Sequence, residues 1–302
     1  MSAVTADGPR GETSTEPATP EGLPDAFHLT EVGEHSYIAT SIGDPGQRDV
    51  VYGGQLLAQM ILASDQVADT KEVASIHTVF ARSAKVTSPI EIDVGVIHDG
   101  RTMGSHSVVV RQGDRVCAQG LVLRRADGPD LIRHQPSMPA VDGPDRSPAS
   151  RQGGLVAPGS ELRVVGGVDT WEPDSAVGPA ELFVWVRLPA VTDDPVMAQA
   201  LLAYGTDGFL IGTAMRPHPG VGQNMAHGAI ATGVVSHTLT FHQPAEVGAW
   251  LLMAHESTYA GRGASYGRAN VFTQDGTLVA SFVQESMIKD AGASDPRGGP
   301  SL

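Results

Sequence analysis

The sequence predicts an α+β protein of two similar units, each a long helix followed by an antiparallel meander whose sheet wraps the helix. Three observations carry this. The same order of landmarks appears twice: His237 follows His77 by 160 residues and Arg262 follows Arg101 by 161, a spacing that tandem duplication explains. Each half holds one stretch with an apolar period near 3.6 residues. Downstream of each, alternating apolar residues are separated by Gly113-Asp114 or Asp275-Gly276, the signature of hairpins.

Taken along the chain, residues 1–25 are rich in Gly, Pro, Thr and Glu and read as a disordered arm. An N-terminal unit is expected over residues 26–133. Its helix follows Gly53-Gly54, with Leu56, Leu57, Met60, Ile61, Ser64 and Val67 on the recurring positions. Its strands begin at His77-Thr78-Val79-Phe80 and run through Ile90, Ile92 and Val94 to Gly100-Arg101. They close with Ser107 to Arg111 and Val116 to Leu123. Residues 134–158, with Pro136, Pro139, Pro144, Pro148, Gly153, Gly154 and Pro158, lie almost midway and read as the interdomain connection.

A second unit is expected over residues 159–290. Asp194 and Pro195 are a good N-cap and first-turn pair for a helix carrying Val196, Met197, Leu201 and Tyr204, and the apolar pattern resumes at Phe209-Leu210. Strands follow at His237 to Phe241, Trp250 to Met253, Ala269 to Thr273 and Leu278 to Ile288. Residues 291–302 resemble the N-terminal arm and read as a disordered tail. Two such units pair their sheets edge to edge, which removes exposed edges.

Composition narrows the function. With 41% apolar and 18% charged residues the chain is too hydrophobic for a disordered protein, and no run approaches the roughly 18 apolar residues of a membrane span. A net charge of −14 argues against a nucleic-acid partner. The first residues lack the basic start and apolar stretch of a secretory signal, so a cytoplasmic protein is expected. Cys117, the one cysteine, excludes an intrachain disulfide and any multi-thiolate metal site.

Several motifs offer chemistry that their context withdraws. Gly263-Ala264-Ser265-Tyr266-Gly267 matches the nucleophile elbow of serine hydrolases, but a strand and hairpin follow it instead of a helix, and the last histidine of the chain is His255, before it. The eleven histidines include no H-E-x-x-H pair, and His237 and His242 are expected on opposite strand faces, so no metal is expected. Gly220-Val221-Gly222 lacks the strand and later glycine of a dinucleotide fingerprint. What is left is Asp207, a carboxylate inside an apolar helical stretch where burial is expensive, and Gln284, at the end of the apolar run Leu278 to Val283. By themselves the two also fit a helix cap and a solvated strand residue.

These features together resemble the acyl-CoA thioesterase II family, which has two fused hotdog domains. The matching stretches are Val51-Tyr52-Gly53-Gly54-Gln55, His77-Thr78-Val79-Phe80-Ala81-Arg82, Asp99-Gly100-Arg101 and His134-Gln135-Pro136-Ser137-Met138-Pro139. They continue with Ala203-Tyr204-Gly205-Thr206-Asp207, Ser236 to His242 and, most densely, Phe272 to Glu285. The resemblance implies a tandem (double) hotdog, two antiparallel sheets each wrapped around a long helix. It also implies hydrolysis of acyl-CoA to a free carboxylic acid and coenzyme A, without a cofactor or covalent intermediate. Acyl-CoA is then the partner, and a homo-oligomer is expected.

In that family an Asp on the second-domain helix, a Thr or Ser on the following strand and a Gln on the last strand hold the attacking water. The resemblance assigns the first to Asp207 and the last to Gln284. Counting back three residues from His237 puts the hydroxyl position at Val234, and a valine does not hydrogen-bond water. Thr232 and Ser236, two positions either side, are the nearest substitutes. The departure at Val234 leaves an alternative: a non-catalytic or weakly active acyl-CoA or acyl-chain binding protein on the same fold. A hotdog hydratase wants a His close after the Asp on one helical segment, and no His follows Asp207 closely enough. A backbone N–H near a helix start is expected to stabilise the oxyanion, and Arg101, Arg262 and Arg268 are candidates for the nucleotide phosphates.

Overall fold

A computed structural model describes residues 27–41, 49–67, 71–150, 159–172, 177–189, 194–226, 228–246 and 248–292. The expected arm over residues 1–25, the end of the connection at 151–158 and most of the expected tail lie outside the described residues.

The first half runs β1 (Leu29–Gly33), β2 (Ser36–Ala39), α1 (Gly53–Gln66), β3 (Glu72–Phe80), β4 (Ile90–Asp99), β5 (Met103–Gln112) and β6 (Arg115–Arg125). The second runs β7 (Glu161–Val164), β8 (Glu181–Arg187), α2 (Pro195–Thr206), α3 (Leu210–Met215), β9 (Ile230–Phe241), β10 (Leu251–Gly261), β11 (Ala264–Thr273) and β12 (Leu278–Asp290). Each half therefore opens with two strands that the sequence reading lacked. β1 is largely exposed and β7 is four residues long, so neither shows a sustained apolar alternation.

The sheets of the two halves join edge to edge: the twelve described strands are antiparallel members of one continuous sheet, in the order β1-β2-β4-β5-β6-β3-β9-β12-β11-β10-β8-β7. The halves meet where β3 bonds β9, with Ile76 opposite Leu239, His77 opposite Thr238 and Thr78 opposite His237. This pairing uses the free edge of each half. It also shows that the His77 and His237 landmarks are one residue out of phase. His237 is buried on the inner face, whereas His77 is outward and bonds Thr238 across the junction at 2.5 Å. A one-residue slip moves a side chain to the other face of a strand.

Helix α1 is buried on all sides from Gly54 to Ser64. Strands β3 to β6 cover one side of it and α2 covers another. Its two buried glutamines are anchored where it passes the end of β2: Gln55 and Gln59 both donate to the Thr40 carbonyl, at 3.1 and 2.8 Å. Helix α2 starts as the sequence predicts, with Pro195 in the first turn and Asp194 accepting from the Val196 N–H at 3.0 Å.

The described part of the Pro-rich connection is a strap on the outer face of the second half. Gln135 donates to the Gly276 carbonyl and accepts from the Leu278 N–H, and Trp185 donates to the Asp142 carbonyl. Met138 and Val141 pack against Trp185, Leu252, Phe272 and Leu278. A proline carries no N–H to satisfy, so such a segment can lie on a sheet face without a strand partner.

Candidate active site

Asp207 is the C-cap of α2, where the chain leaves the helix through Phe209, a residue with φ of 73°, and re-enters helix at α3. A carboxylate there sits at the negative end of the α2 dipole, an unfavourable place. The start of α1 offsets this, because the Gly54 N–H donates to Asp207 Oδ2 at 3.1 Å. So close an approach requires the two glycines. A Cβ on Gly53 would lie 2.6 Å from Asp207 Oδ2, and one on Gly54 only 2.3 Å from the Tyr204 carbonyl oxygen.

Gln284 lies on the inner face of β12, 1% exposed, opposite His237 of β9. Its Nε2 donates to Asp207 Oδ1 at 3.2 Å and to His237 Nδ1 at 2.9 Å, with the Thr206 carbonyl at 3.4 Å. The histidine fixes that orientation. Thr206 Oγ1 donates to the Ala203 carbonyl at 2.8 Å and so accepts from His237 Nε2 at 3.1 Å. The ring proton is thereby assigned to Nε2, and Nδ1 is left to accept from Gln284. The His237 ring stacks on Phe282, with centroids 5.4 Å apart. Gln284 Oε1 is buried and has no partner among the described residues.

Burial sets the charges. The Asp207 side chain is 6% exposed, and desolvation pushes its carboxyl up to about 7 against the opposing pull of the Gly54 N–H. Desolvation pushes the His237 ring down to about 3, so it is neutral near pH 7 although its Nδ1 lies 3.9 Å from Asp207 Oδ1. The result is one carboxyl poised to gain or lose a proton near neutrality, held by a neutral amide and a neutral ring. The corresponding corner of the first half differs. There Asp65, near the end of α1, bonds the buried Arg124 of β6 at 2.8 Å, a fixed ion pair.

The structure thus brings Asp207 and Gln284 together and adds His237, Thr206 and Gly54, which the sequence reading did not assign to the site. His237 and Thr206 fall inside stretches that carry the family resemblance, but no spacing rule joins the end of a helix to two strands so far along the chain. The hydroxyl candidates separate. Val234 opposes Ser286 and Thr232 opposes Ile288, on the face shared with Gln284. Ser236 opposes Glu285 and Val79, so it faces outward and is withdrawn as a substitute. A bulge at Val235 causes this by shifting the alternation of β9 by one residue.

The other motifs take structural places. Ser265 sits near the start of β11 behind a turn through Arg262 and Gly263, both with positive φ, and no helix follows it. Arg268 pairs with Glu256 at 2.9 Å. Among the described residues no group of three or more His, Cys, Asp or Glu side chains is placed to hold a metal ion. A groove of about 540 Å³ lies further along the inner face of β12, lined by Ala214, Met215, Met225, Ile230 and Ile288 among others.

Comparison with known proteins places this fold among the thioesterases. Residues 43–125 match the family model described as acyl-CoA thioesterase N-terminal domain, and residues 134–288 match the acyl-CoA thioesterase C-terminal domain. The chain belongs to the acyl-CoA thioesterase II family. It is 27% identical to acyl-CoA thioesterase 2 of Haemophilus influenzae over 256 residues, 79% of this chain and 87% of that protein. It is also 27% identical to acyl-coenzyme A thioesterase 8 of Mus musculus over 285 residues, covering 85% and 83% of the two chains. An acyl-CoA thioesterase II structure from Mycobacterium marinum superimposes with a TM-score of 0.74 at 25% identity, covering 89% of this chain and 98% of that one. The reaction of the family is hydrolysis of an acyl-CoA thioester, and the chain is an enzyme of that class.

Proposed function

We propose that Asp207 is the general base of this hydrolysis and that Gln284 holds the attacking water beside it. The observation that carries the reading is the carboxyl itself: dry, raised to about 7, and fixed by the Gly54 N–H on one oxygen and the Gln284 amide on the other. A water that donates one proton toward Asp207 and the other to Gln284 Oε1 satisfies the buried acceptor that has no other described partner. As the water oxygen attacks the thioester carbonyl, its proton passes to Asp207 and the carbonyl oxygen takes the negative charge. Collapse expels the coenzyme A sulfur, which takes the proton back from Asp207, leaving the carboxylic acid and the free thiol. The first turn of α1, beside Asp207, is where a helix N-terminus favours the developing oxyanion.

The apolar groove beyond Gln284 is the candidate channel for the acyl chain, since it continues the inner face of β12 past Ile288. Each half is read as one hotdog unit, with its part of the sheet curved about its helix, over residues 26–133 and 159–290. A cytoplasmic homo-oligomer completes the reading; Val79, Leu121 and Leu123 leave apolar surface exposed on the outer face of the first half. Thiol release from short, medium and long acyl-CoA esters tests the assignment. Wild type is expected to be active, and Asp207→Asn to lose roughly 10²- to 10⁴-fold in kcat. Full activity in that variant would remove Asp207 from the mechanism.

A further inference from the structure

Across β11, β12 and β9 the inner face carries two adjacent rows of residues. One row is Gly267, Gln284 and His237, and the next is Ser265, Ser286 and Val234. Val234 occupies the position at which the family resemblance expects a hydroxyl, and it has none. Directly opposite it is Ser286, 1% exposed and two residues beyond Gln284, hence on the same face. Among the described residues the Ser286 hydroxyl forms no hydrogen bond to another protein group, and its oxygen is not one of the fully enclosed polar atoms that lack a partner.

We infer that Ser286 supplies the hydroxyl that Val234 lacks and holds the attacking water together with Gln284. The inference rests on the general-base reading of Asp207 given above. Directly opposed residues in an antiparallel pair have Cβ atoms about 4.5–5.5 Å apart, so the hydroxyl moves by one strand while staying at the same level along the sheet. Along β12, Ser286 lies about 7 Å from Gln284, a gap that one water bridges with two hydrogen bonds of about 2.8 Å and modest side-chain reach. The alternatives are worse placed. Thr232 is one row further on, opposite Ile288 and about 13 Å along the strand from the Gln284 level, and Ser236 faces outward. A hydroxyl in a nearly buried position with no protein partner is free to bond such a water. Ser286 forms no bond to substrate in this scheme. It is a positioning residue, and the proton of the water still goes to Asp207.

The test measures kcat and KM for thiol release, with melting temperature, in the full-length enzyme. Ser286→Ala is expected to lower kcat five- to tenfold, the value of one hydrogen bond, with KM and melting temperature unchanged. Ser286→Thr, which keeps a hydroxyl, should stay within about threefold of wild type. Val234→Thr alone should change little, but in the Ser286→Ala background it should restore kcat to within about twofold, because the hydroxyl returns on the facing strand. Ser265→Ala removes the hydroxyl of the same row one strand further from Val234 and should leave kcat within about twofold. Asp207→Asn separates the two levels of the argument. If that variant loses activity while Ser286→Ala does not, the general-base reading stands and the role of Ser286 is overturned. Equal losses in Ser286→Ala and Ser286→Thr, or a five- to tenfold gain from Val234→Thr in the wild-type background, overturn it as well. Full activity in Asp207→Asn overturns both readings.

Discussion

Burial of Asp207 ties its protonation to the stability of the fold. Its folded value of about 7 exceeds that of an unfolded Asp, near 3.9, so between these values the folded state binds more protons. Asp207 therefore favours folding in acid, and that contribution is lost as pH rises through about 7. At 1.36 kcal/mol per unit the full swing is roughly 4 kcal/mol. His237 and His255 act in the opposite sense. Burial lowers them to about 3 and about 4, so their neutral forms support folding above the unfolded value near 6.5 and lose that support as pH falls toward 4. Two rings outweigh one carboxyl, and the fold is expected to weaken below pH 6.5. Comparing wild type with Asp207→Asn cancels the shared histidines. Urea unfolding at pH 5 and pH 8 should show wild type losing stability relative to the variant as pH rises, and parallel curves would contradict the buried carboxyl.

The contact between the end of α2 and the start of α1 sets the surroundings of Asp207. Gly54→Ala places a methyl group against the Tyr204 carbonyl, a backbone atom that cannot swing aside, so the helices must separate. Such overpacking costs roughly 1–3 kcal/mol. Separation also withdraws the Gly54 N–H, so the Asp207 carboxyl should rise further and the pH–rate profile should move to higher pH. An unchanged profile in a folded Gly54→Ala enzyme would mean that α1 does not tune the carboxylate. How far the sequence shows these elements depends on the range of the forces. The α2 cap at Asp194-Pro195 and the Gly113 and Gly276 turns are local, and they stand where the sequence puts them. The bulge at Val235 is fixed only by pairing with β12, and it is what turns Ser236 outward. His237 reads from sequence as one polar residue in an alternating strand; its role depends on Thr206 and Gln284, which reach it only through the tertiary fold.

Over the whole molecule the two halves share one sheet and one core, which joins α1, α2 and inner-face residues from both halves. A fragment of residues 26–133 would expose the β3 edge and the side of α1 that α2 covers. It is expected to be insoluble or to dimerise artificially, and a soluble, well-folded monomer would contradict the shared core. The repeated order of helix and strands in the two halves was legible in sequence. The asymmetry between them was only partly so, because the ion pair of Asp65 with Arg124 and the amide contact of Asp207 with Gln284 both join residues distant in the chain. As the proposed general base, a dry Asp207 removes the proton of the attacking water. The most direct test of this role is the pH dependence of kcat/KM for acyl-CoA hydrolysis in wild type and Asp207→Asn. The wild-type rate should rise with pH through a midpoint near 7 and the residual rate of the variant should lack that step; a wild-type profile flat from pH 4 to 8, or the same step in Asp207→Asn, would contradict it.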